Sequence, residues 1–307
     1  MEGLVIRSTG SWYAVKDDSG TVTDCGIKGK FRIKGIKSTN PVAVGDRVSF
    51  ELTEDGKGVI HAIEDRKNYI IRKATNLSKQ THIIAANIDQ VILIVTLAMP
   101  RTLTGFIDRF LVTAEAYRIP VIIVFNKKDI YDEKLNEELQ NLKSVYEKAG
   151  YRCMETSATE GINLDKMSEA MAGKVNLIAG NSGVGKSTLI NAIEPGLELK
   201  TAEVSELHEL GKHTTSFAEM FGLSGGGYII DTPGIKSFGM VDFKKEELWH
   251  YFPEIFKSGE HCKFHNCVHI NEPECEVKAA VENGDIASFR YENYLKIYYG
   301  EDLDLRF

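Results

Sequence analysis

No run in this chain is long and apolar enough to cross a bilayer: the longest candidates, Val91–Leu97 and Val121–Phe125, are of strand length. The N-terminus lacks the hydrophobic region of a signal peptide, so a cytoplasmic protein is expected. Cysteine is scarce, and three of the five, Cys262, Cys267 and Cys275, crowd into one short segment, which does not resemble a disulfide framework. A charged fraction of 26% beside a hydrophobic fraction of 43% excludes the disordered and fibrous classes. What remains is a globular protein of 307 residues, long enough for two or three domains.

The net charge of −7 is unevenly spread: the first 68 residues carry 11 Lys/Arg against 10 Asp/Glu, the remainder 26 against 34. Overall acidity therefore does not exclude an RNA partner, and the placing of the basic residues decides. Residues 1–68 read as short β-like runs (Leu4–Ile6, Trp12–Val15, Thr21–Thr23, Phe31–Ile33, Arg47–Phe50, Val59–Ile60) parted by glycine-bearing turns. A barrel of about five strands follows, and the OB-fold is the common module of this size that binds nucleic acid. As a strand, Lys28-Gly29-Lys30-Phe31-Arg32-Ile33-Lys34 puts four basic side chains on one face and Phe31 and Ile33 on the other. A second basic stretch, Arg66, Lys67, Arg72, Lys73 and Lys79, lies where the barrel meets the next domain. Both are candidate phosphate-backbone contacts, against the alternatives of a solvated strand face and a solvated linker.

From residue 69 to about 240, apolar runs alternate with amphipathic ones, which predicts a mostly parallel sheet covered on both faces. Gly180-Asn181-Ser182-Gly183-Val184-Gly185-Lys186-Ser187-Thr188 follows the run Val175–Ala179 and opens a helical pattern. This is the setting of a P-loop: glycines let backbone N–H groups converge on phosphate oxygens, Lys186 reaches the β- and γ-phosphates, and the Ser187 hydroxyl ligates Mg²⁺. Ligands of such sheets bind at the carboxyl ends of the strands. There stand Asn126, Lys127 and Asp129, after Val121–Phe125, and Thr156, Ser157 and Ala158, after Tyr151–Glu155. A carboxylate at Asp129 can accept from both N1–H and the 2-amino group of guanine, which adenine cannot offer, and the amides near Ser157 and Ala158 suit guanine O6.

Asp231-Thr232-Pro233-Gly234 ends a further strand-like run. Asp231 suits a water-mediated hold on Mg²⁺, and the Gly234 N–H a γ-phosphate. Between the two phosphate motifs lies Gly211-Lys212-His213-Thr214-Thr215-Ser216, in which Thr215, in preference to Thr214, is the candidate to complete the Mg²⁺ shell. Where many GTPases carry a water-orienting Gln, this chain has Ile235. The polar group must come from elsewhere, and His213 is the candidate, since a neutral imidazole can accept a hydrogen bond from the attacking water. The guanine motifs precede the P-loop and Asp231 comes last, so the usual cycle of motifs is intact but cut at another point, a circular permutation. The switch segments then lead straight into the C-terminal region, and nucleotide state could move it.

In that region Cys262, Cys267, His269 and Cys275 form Cys-x₄-Cys-x-His-x₅-Cys, a closed four-ligand shell for structural Zn²⁺, with His261 and His265 as possible substitutes for His269. A catalytic zinc enzyme is disfavoured, because such a shell leaves no position for substrate. Cys25 and Cys153 stand alone and read as small buried hydrophobes. Helices are expected over Lys278–Glu282 and Ile286–Tyr299, the latter rich in aromatics that could stack against RNA or against the metal module, with packing the preferred reading.

With its β-barrel, permuted motif order, Gly-Lys-His-Thr-Thr segment and cysteine-rich tail, the whole chain resembles the RsgA/YjeQ family, circularly permuted GTPases dependent on the small ribosomal subunit. The resemblance implies an OB-fold over residues 1–68, a circularly permuted GTPase domain over 69–240 and a zinc-binding helical domain over 241–307. It also implies a Cys₃His zinc site that selects His269, a catalytic role for His213, and GTP hydrolysis stimulated by the small ribosomal subunit during its late maturation, with rRNA contacts from the barrel and zinc domains. Nothing in the sequence suggests a dimerisation helix, so a monomer is expected. The competing reading is a GTP-sensing RNA-binding scaffold with negligible catalysis.

Overall fold

A computed structural model describes residues 1–27, 41–73, 81–199, 218–231 and 244–300, with the side chains of 72, 73, 81, 82 and 231 excepted. The Lys28–Lys34 ribbon, Lys79, His213, Thr215, Gly234, Ile235 and the side chain of Asp231 lie outside the described residues. The chain forms two compact units, each assembled from two separate segments: Met1–Ile92 with Asn163–Gly239, and Leu93–Ile162 with Met240–Phe307.

The first unit opens with β1 (Glu2–Ser8), β2 (Tyr13–Asp17), β3 (Val22–Ile27), β4 (Arg47–Leu52) and β5 (Gly58–Ile63). They pair in the order β1-β2-β3-β5-β4, and β4 returns to β1, so the sheet closes into a five-stranded, OB-like barrel. The alternation seen in the sequence is the pleat of these strands: Val5, Tyr13, Val15, Cys25, Val48, Phe50 and Ile60 fill the interior. Gly58 is required by closeness, since a Cβ there would stand 2.3 Å from Cys25 Sγ and 3.0 Å from the Phe50 ring. The solitary Cys25 is the small buried hydrophobe its isolation suggested, its thiol pushed up to about 11 by burial.

Part of the second basic stretch is spent inside the protein. Arg66 donates to both carboxylate oxygens of Asp46, at 2.6 Å each, and to the Pro41 carbonyl at 2.7 Å, with the pair almost wholly buried. Lys67 pairs with Asp89. Arg66, buried against Asp46, is not free to track a phosphate backbone, whereas the ion pair of Lys67 is exposed. That chain continues as a two-stranded sheet, β6 (Tyr69–Lys73) with β7 (Thr81–Ala86).

Later in the chain the first unit adds α3 (Leu164–Met171), β11 (Lys174–Ala179), α4 (Lys186–Ile193), β12 (Glu219–Gly222) and β13 (Gly227–Asp231). β11 runs parallel to β13, β12 runs antiparallel to β13, and β12 meets β1 at Arg7↔Glu219. Asn176, buried in the middle of β11, donates to the carbonyls of Met171 and Tyr228, which ties the strand to the end of α3 and to β13.

In the second unit the end of β8 (Gln90–Val95), β9 (Val121–Phe125) and β10 (Arg152–Glu155) stand side by side, with β9 and β10 parallel. All five residues of β9 are buried, the signature of a strand covered on both faces. Helices α1 (Thr104–Ala116) and α2 (Glu133–Lys148) follow β8 and β9, α2 being capped by Asp132, whose carboxylate accepts from the Leu135 N–H at 2.8 Å. The C-terminal segment supplies a 3₁₀ turn (Lys245–Tyr251), α5 (Pro253–Gly259), α6 (Glu276–Glu282) and α7 (Ser288–Tyr299). Its core of Leu248, Phe252, Ile255, Val277, Ile286, Tyr294 and Ile297 takes in Val112 from α1. The aromatics of α7 do pack inward, Tyr294 being fully buried, while Tyr299 stays exposed.

Candidate functional site: nucleotide loops and a metal cluster

The candidate phosphate loop belongs to the first unit and has the strand, turn and helix that the sequence predicts. β11 ends at Ala179, the loop turns through Gly180, Gly183 and Gly185 at φ of 139°, 79° and 90°, and α4 starts at Lys186. Those angles are ones that side-chain-bearing residues rarely adopt, which is why glycine occupies these positions. Val184 is buried and anchors the loop from below, while Ser182, Gly183 and Thr188 are exposed. Lys186 Nζ lies over the loop and donates to the Gly180 and Asn181 carbonyls at 2.8 and 2.7 Å. Ser187 sits half-buried in the first turn of α4 beside it. Asn181 Nδ2 is buried with no hydrogen-bond partner among the described residues, an unmet donor inside the loop.

The candidate guanine motifs belong to the second unit, where β9 and β10 bring their ends together. Asn126, buried at the tip of β9, donates its N–H to the Val95 carbonyl at 2.9 Å, and its side-chain oxygen accepts from Thr156 Oγ1 at 3.1 Å. Lys127 takes the left-handed conformation at φ 61°, and its ammonium reaches the Met99 carbonyl. Lys128 N–H donates to the Thr156 carbonyl at 3.0 Å, a second tie between the two loops. Asp129 is exposed on the 3₁₀ turn Lys128–Ile130 and accepts from the Ser157 hydroxyl. That hydrogen bond, with lesser help from Thr159 and Lys127, holds the Asp129 carboxyl below its ordinary 3.8, so the group is an acceptor at neutral pH. Ser157 differs from the sequence expectation in one respect: its N–H donates to the Ile162 carbonyl at 3.3 Å, and the residue is fully buried. Its hydroxyl, which orients Asp129, carries the polar role.

One residue here, Tyr131, escaped the sequence reading, and Thr156, read there for its backbone, acts through its side chain. Thr156 is the side-chain link between the guanine loops, and Tyr131 is buried with its hydroxyl between Asn126 and Leu97. The side-chain role of neither is signalled locally, because Leu97 and Asn126 reach Tyr131 and Thr156 from 34 and 30 residues away through strand pairing.

The C-terminal cluster is compact. His269 Nδ1 stands 3.5, 3.3 and 3.5 Å from the sulfurs of Cys262, Cys267 and Cys275, and Cys275 Sγ lies 3.9 Å from each of the other two. A tetrahedral ion with bonds of about 2.3 Å to sulfur and about 2.0 Å to nitrogen requires edges of about 3.8 Å and about 3.5 Å. The four residues fit a metal ion. His261 instead faces the Lys257 carbonyl, and neither it nor His265 enters the cluster. Burial pushes the Cys267 thiol up to about 12 and raises Cys275 as well, so these sulfurs ionise only against a compensating cation. Burial lowers His269 to about 4, which keeps the imidazole neutral and its lone pair available.

The surroundings hold the ligands in place. Tyr291 and Tyr294 of α7 donate to the carbonyls of His269 and Val268, at 2.6 and 2.5 Å, and Glu272 accepts from the N–H groups of Val268 and Ile270. Trp249 meets the His269 ring edge-on at 4.9 Å. No helix among the described residues is long and apolar enough to cross a membrane.

Comparison with known proteins covers nearly the whole chain. A family model described as RsgA GTPase matches residues 63–241, and one described as RsgA N-terminal domain matches residues 2–60. The small ribosomal subunit biogenesis GTPase RsgA of Christiangramia forsetii is 58% identical, over 100% of this chain and 98% of its own. Its namesake from Bacteroides fragilis is also 58% identical, over 97% and 96%. Among solved structures, YjeQ from Thermotoga maritima superposes with a TM-score of 0.79 at 39% identity, covering 97% of each chain. YloQ, described as a circularly permuted GTPase, gives 0.77 at 32% identity, covering 97% of this chain and 94% of its own.

Proposed function

The chain belongs to the RsgA family of GTPases, and from that membership together with its own loops we infer that it hydrolyses GTP to GDP and phosphate in the biogenesis of the small ribosomal subunit. The observation that carries this reading is full-length likeness to proteins of that name combined with a strand–glycine turn–helix bearing Lys186. Gly180–Thr188 hold the phosphates, with Lys186 on the β- and γ-oxygens. Asn126, Lys127 and Asp129 take the base, Asp129 accepting from N1–H and the 2-amino group, and Ala158 offers its amide to O6. The Ser157 hydroxyl keeps Asp129 aimed. Thr215, Asp231 and Gly234 complete the γ-phosphate end.

Ser187, in the first turn of α4, and Thr215 would ligate Mg²⁺, which when bound offsets charge developing on the phosphate oxygens. In hydrolysis a water oxygen bonds to the γ-phosphorus as the bond to the β–γ bridging oxygen breaks, and the water's proton ends on the phosphate product. His213 orients that water, since Ile235 offers no polar atom. The Cys₃His cluster holds zinc, its closed shell making the ion structural. The barrel and the metal module contact rRNA of the small subunit, and the protein acts as a monomer in the cytoplasm.

The test is steady-state turnover of GTP with ATP as the specificity control. Turnover of GTP that excess ATP does not inhibit supports the reading. Equal use of ATP contradicts the assignment of Asp129 to the base.

A further inference from the structure

We propose that Tyr131 is a positioning residue for base recognition: its buried hydroxyl fixes the loop that carries Asp129 and so sets the preference for guanine over other purines. The inference rests on the guanine reading given above.

The Tyr131 hydroxyl donates to the Asn126 carbonyl at 2.6 Å and accepts from the Leu97 N–H at 2.8 Å. Both of its hydrogen-bonding functions are thus used, in a side chain that is 7% exposed. A phenylalanine would fill the same space, so packing alone does not account for the oxygen. The carbonyl that Tyr131 grips lies in the peptide plane joining Asn126 to Lys127, and Lys127 has the left-handed backbone at φ 61°. An orientation that side-chain-bearing residues adopt rarely persists only when its surroundings hold it. Fixing that plane fixes the direction in which the next turn, and with it Asp129, leaves β9.

The other end of the grip is itself anchored. Thr96 and Thr102 close the segment after β8 on itself, with the Thr96 N–H donating to Thr102 Oγ1 at 3.1 Å and the Thr102 N–H to the Thr96 carbonyl at 2.7 Å. Leu97 lies inside this closed segment, and Met99, which receives the Lys127 ammonium, lies there too. The guanine loop is therefore held to one preformed segment at two points, by Tyr131 and by Lys127. Thr156 holds Asn126 from the other side. Preorganisation of this kind separates a site that discriminates between bases from one that merely binds nucleotide.

The test is the binding of GDP and of inosine diphosphate, which lacks only the 2-amino group that Asp129 recognises, to the full chain and to Tyr131→Phe. For the unaltered protein the expected preference for GDP is about tenfold or more, the worth of one hydrogen bond to a charged acceptor. In Tyr131→Phe, GDP affinity should fall about tenfold while inosine diphosphate weakens much less, so that the preference collapses. Thr156→Val, which removes the second tie on Asn126, should shrink the same ratio and decides the matter if Tyr131→Phe fails to fold. Equal weakening of both nucleotides, or none, would show that Tyr131 only fills space and would overturn the inference. An unaltered protein that binds inosine diphosphate or ADP as tightly as GDP overturns the guanine reading, and this inference with it.

Discussion

Arg290 and Asp108, 182 residues apart in the chain, meet at 2.6 Å with both side chains almost wholly buried. Asp108 also accepts from Asn293 at 2.7 Å and from the Tyr146 hydroxyl at 2.9 Å, while Arg290 forks onto Glu254 and lies over the Phe252 ring. Through this network the last helix of the metal module and α1 share one core. Removing one member of such a pair leaves a charge buried without its counter-charge, which costs about 3–5 kcal/mol. Arg290→Met should lose stability on that scale, and Asp108→Asn added to it should recover part of the loss. Urea midpoints of the single and double variants decide, and strictly additive losses would contradict the account.

The metal cluster predicts one zinc ion per chain by elemental analysis, and less than one in Cys267→Ser. Gly259 sets a sharper condition, because a Cβ there would stand 2.9 Å from His269 Nε2 and 2.9 Å from the Trp249 ring. Gly259→Ala should hasten the loss of metal to a chelator and expose α7 to hydrogen exchange. Metal held as firmly as in the unaltered protein would show that the ring's position is not set by this close approach.

A pH dependence follows from Asp129. Its carboxyl is lowered from 3.8 by the Ser157 hydrogen bond, so the stabilisation linked to it is present above 3.8 and disappears as pH falls through the folded value. In the proposed function base recognition uses the ionised form, so GDP affinity should not vary through Asp129 between about pH 5 and about pH 8. Ser157→Ala should move the carboxyl up toward 3.8, as read by NMR titration of the Asp129 side chain. An unmoved resonance would mean that Ser157 does not control it.

Lys186→Ala should leave the fold intact, because the hydrogen bonds described for the ammonium include two to carbonyls of its own loop, Gly180 and Asn181, and their loss removes nothing from the core. GTP turnover should fall by on the order of 10²–10³-fold, the usual loss when one preorganised charge-stabilising group is removed. Asp129→Asn should weaken GDP by about tenfold or more and favour xanthosine nucleotides, whose 2-carbonyl accepts from an amide.

Local chemistry was legible in the sequence, and long-range partnership was not. Gly180, Gly183 and Gly185 announce their turn because positive φ is a local demand that glycine meets. The cysteines announce their cluster because their close spacing lets one short segment gather them round a single point. The alternation of Val5, Tyr13 and Phe50 announces the barrel because the pleat repeats every two residues. Arg66 and Lys67 look like free charges in a linker only because their acids, Asp46 and Asp89, lie 20 and 22 residues away. Tyr131 reads as one more aromatic residue until strand pairing brings Leu97 to it, and Arg290 as a surface arginine until α1 supplies Asp108. Pattern reports what a residue needs within a turn or a strand; it does not report which distant segment meets that need.

The central claim, that this chain is a GTPase answering to the small ribosomal subunit, is tested most directly by GTP turnover with and without purified small subunits, using ATP in parallel. The account predicts slow turnover alone, strong stimulation by the subunit and no response with ATP. Binding to the subunit with hydrolysis left flat would contradict it and leave GTP as a static ligand.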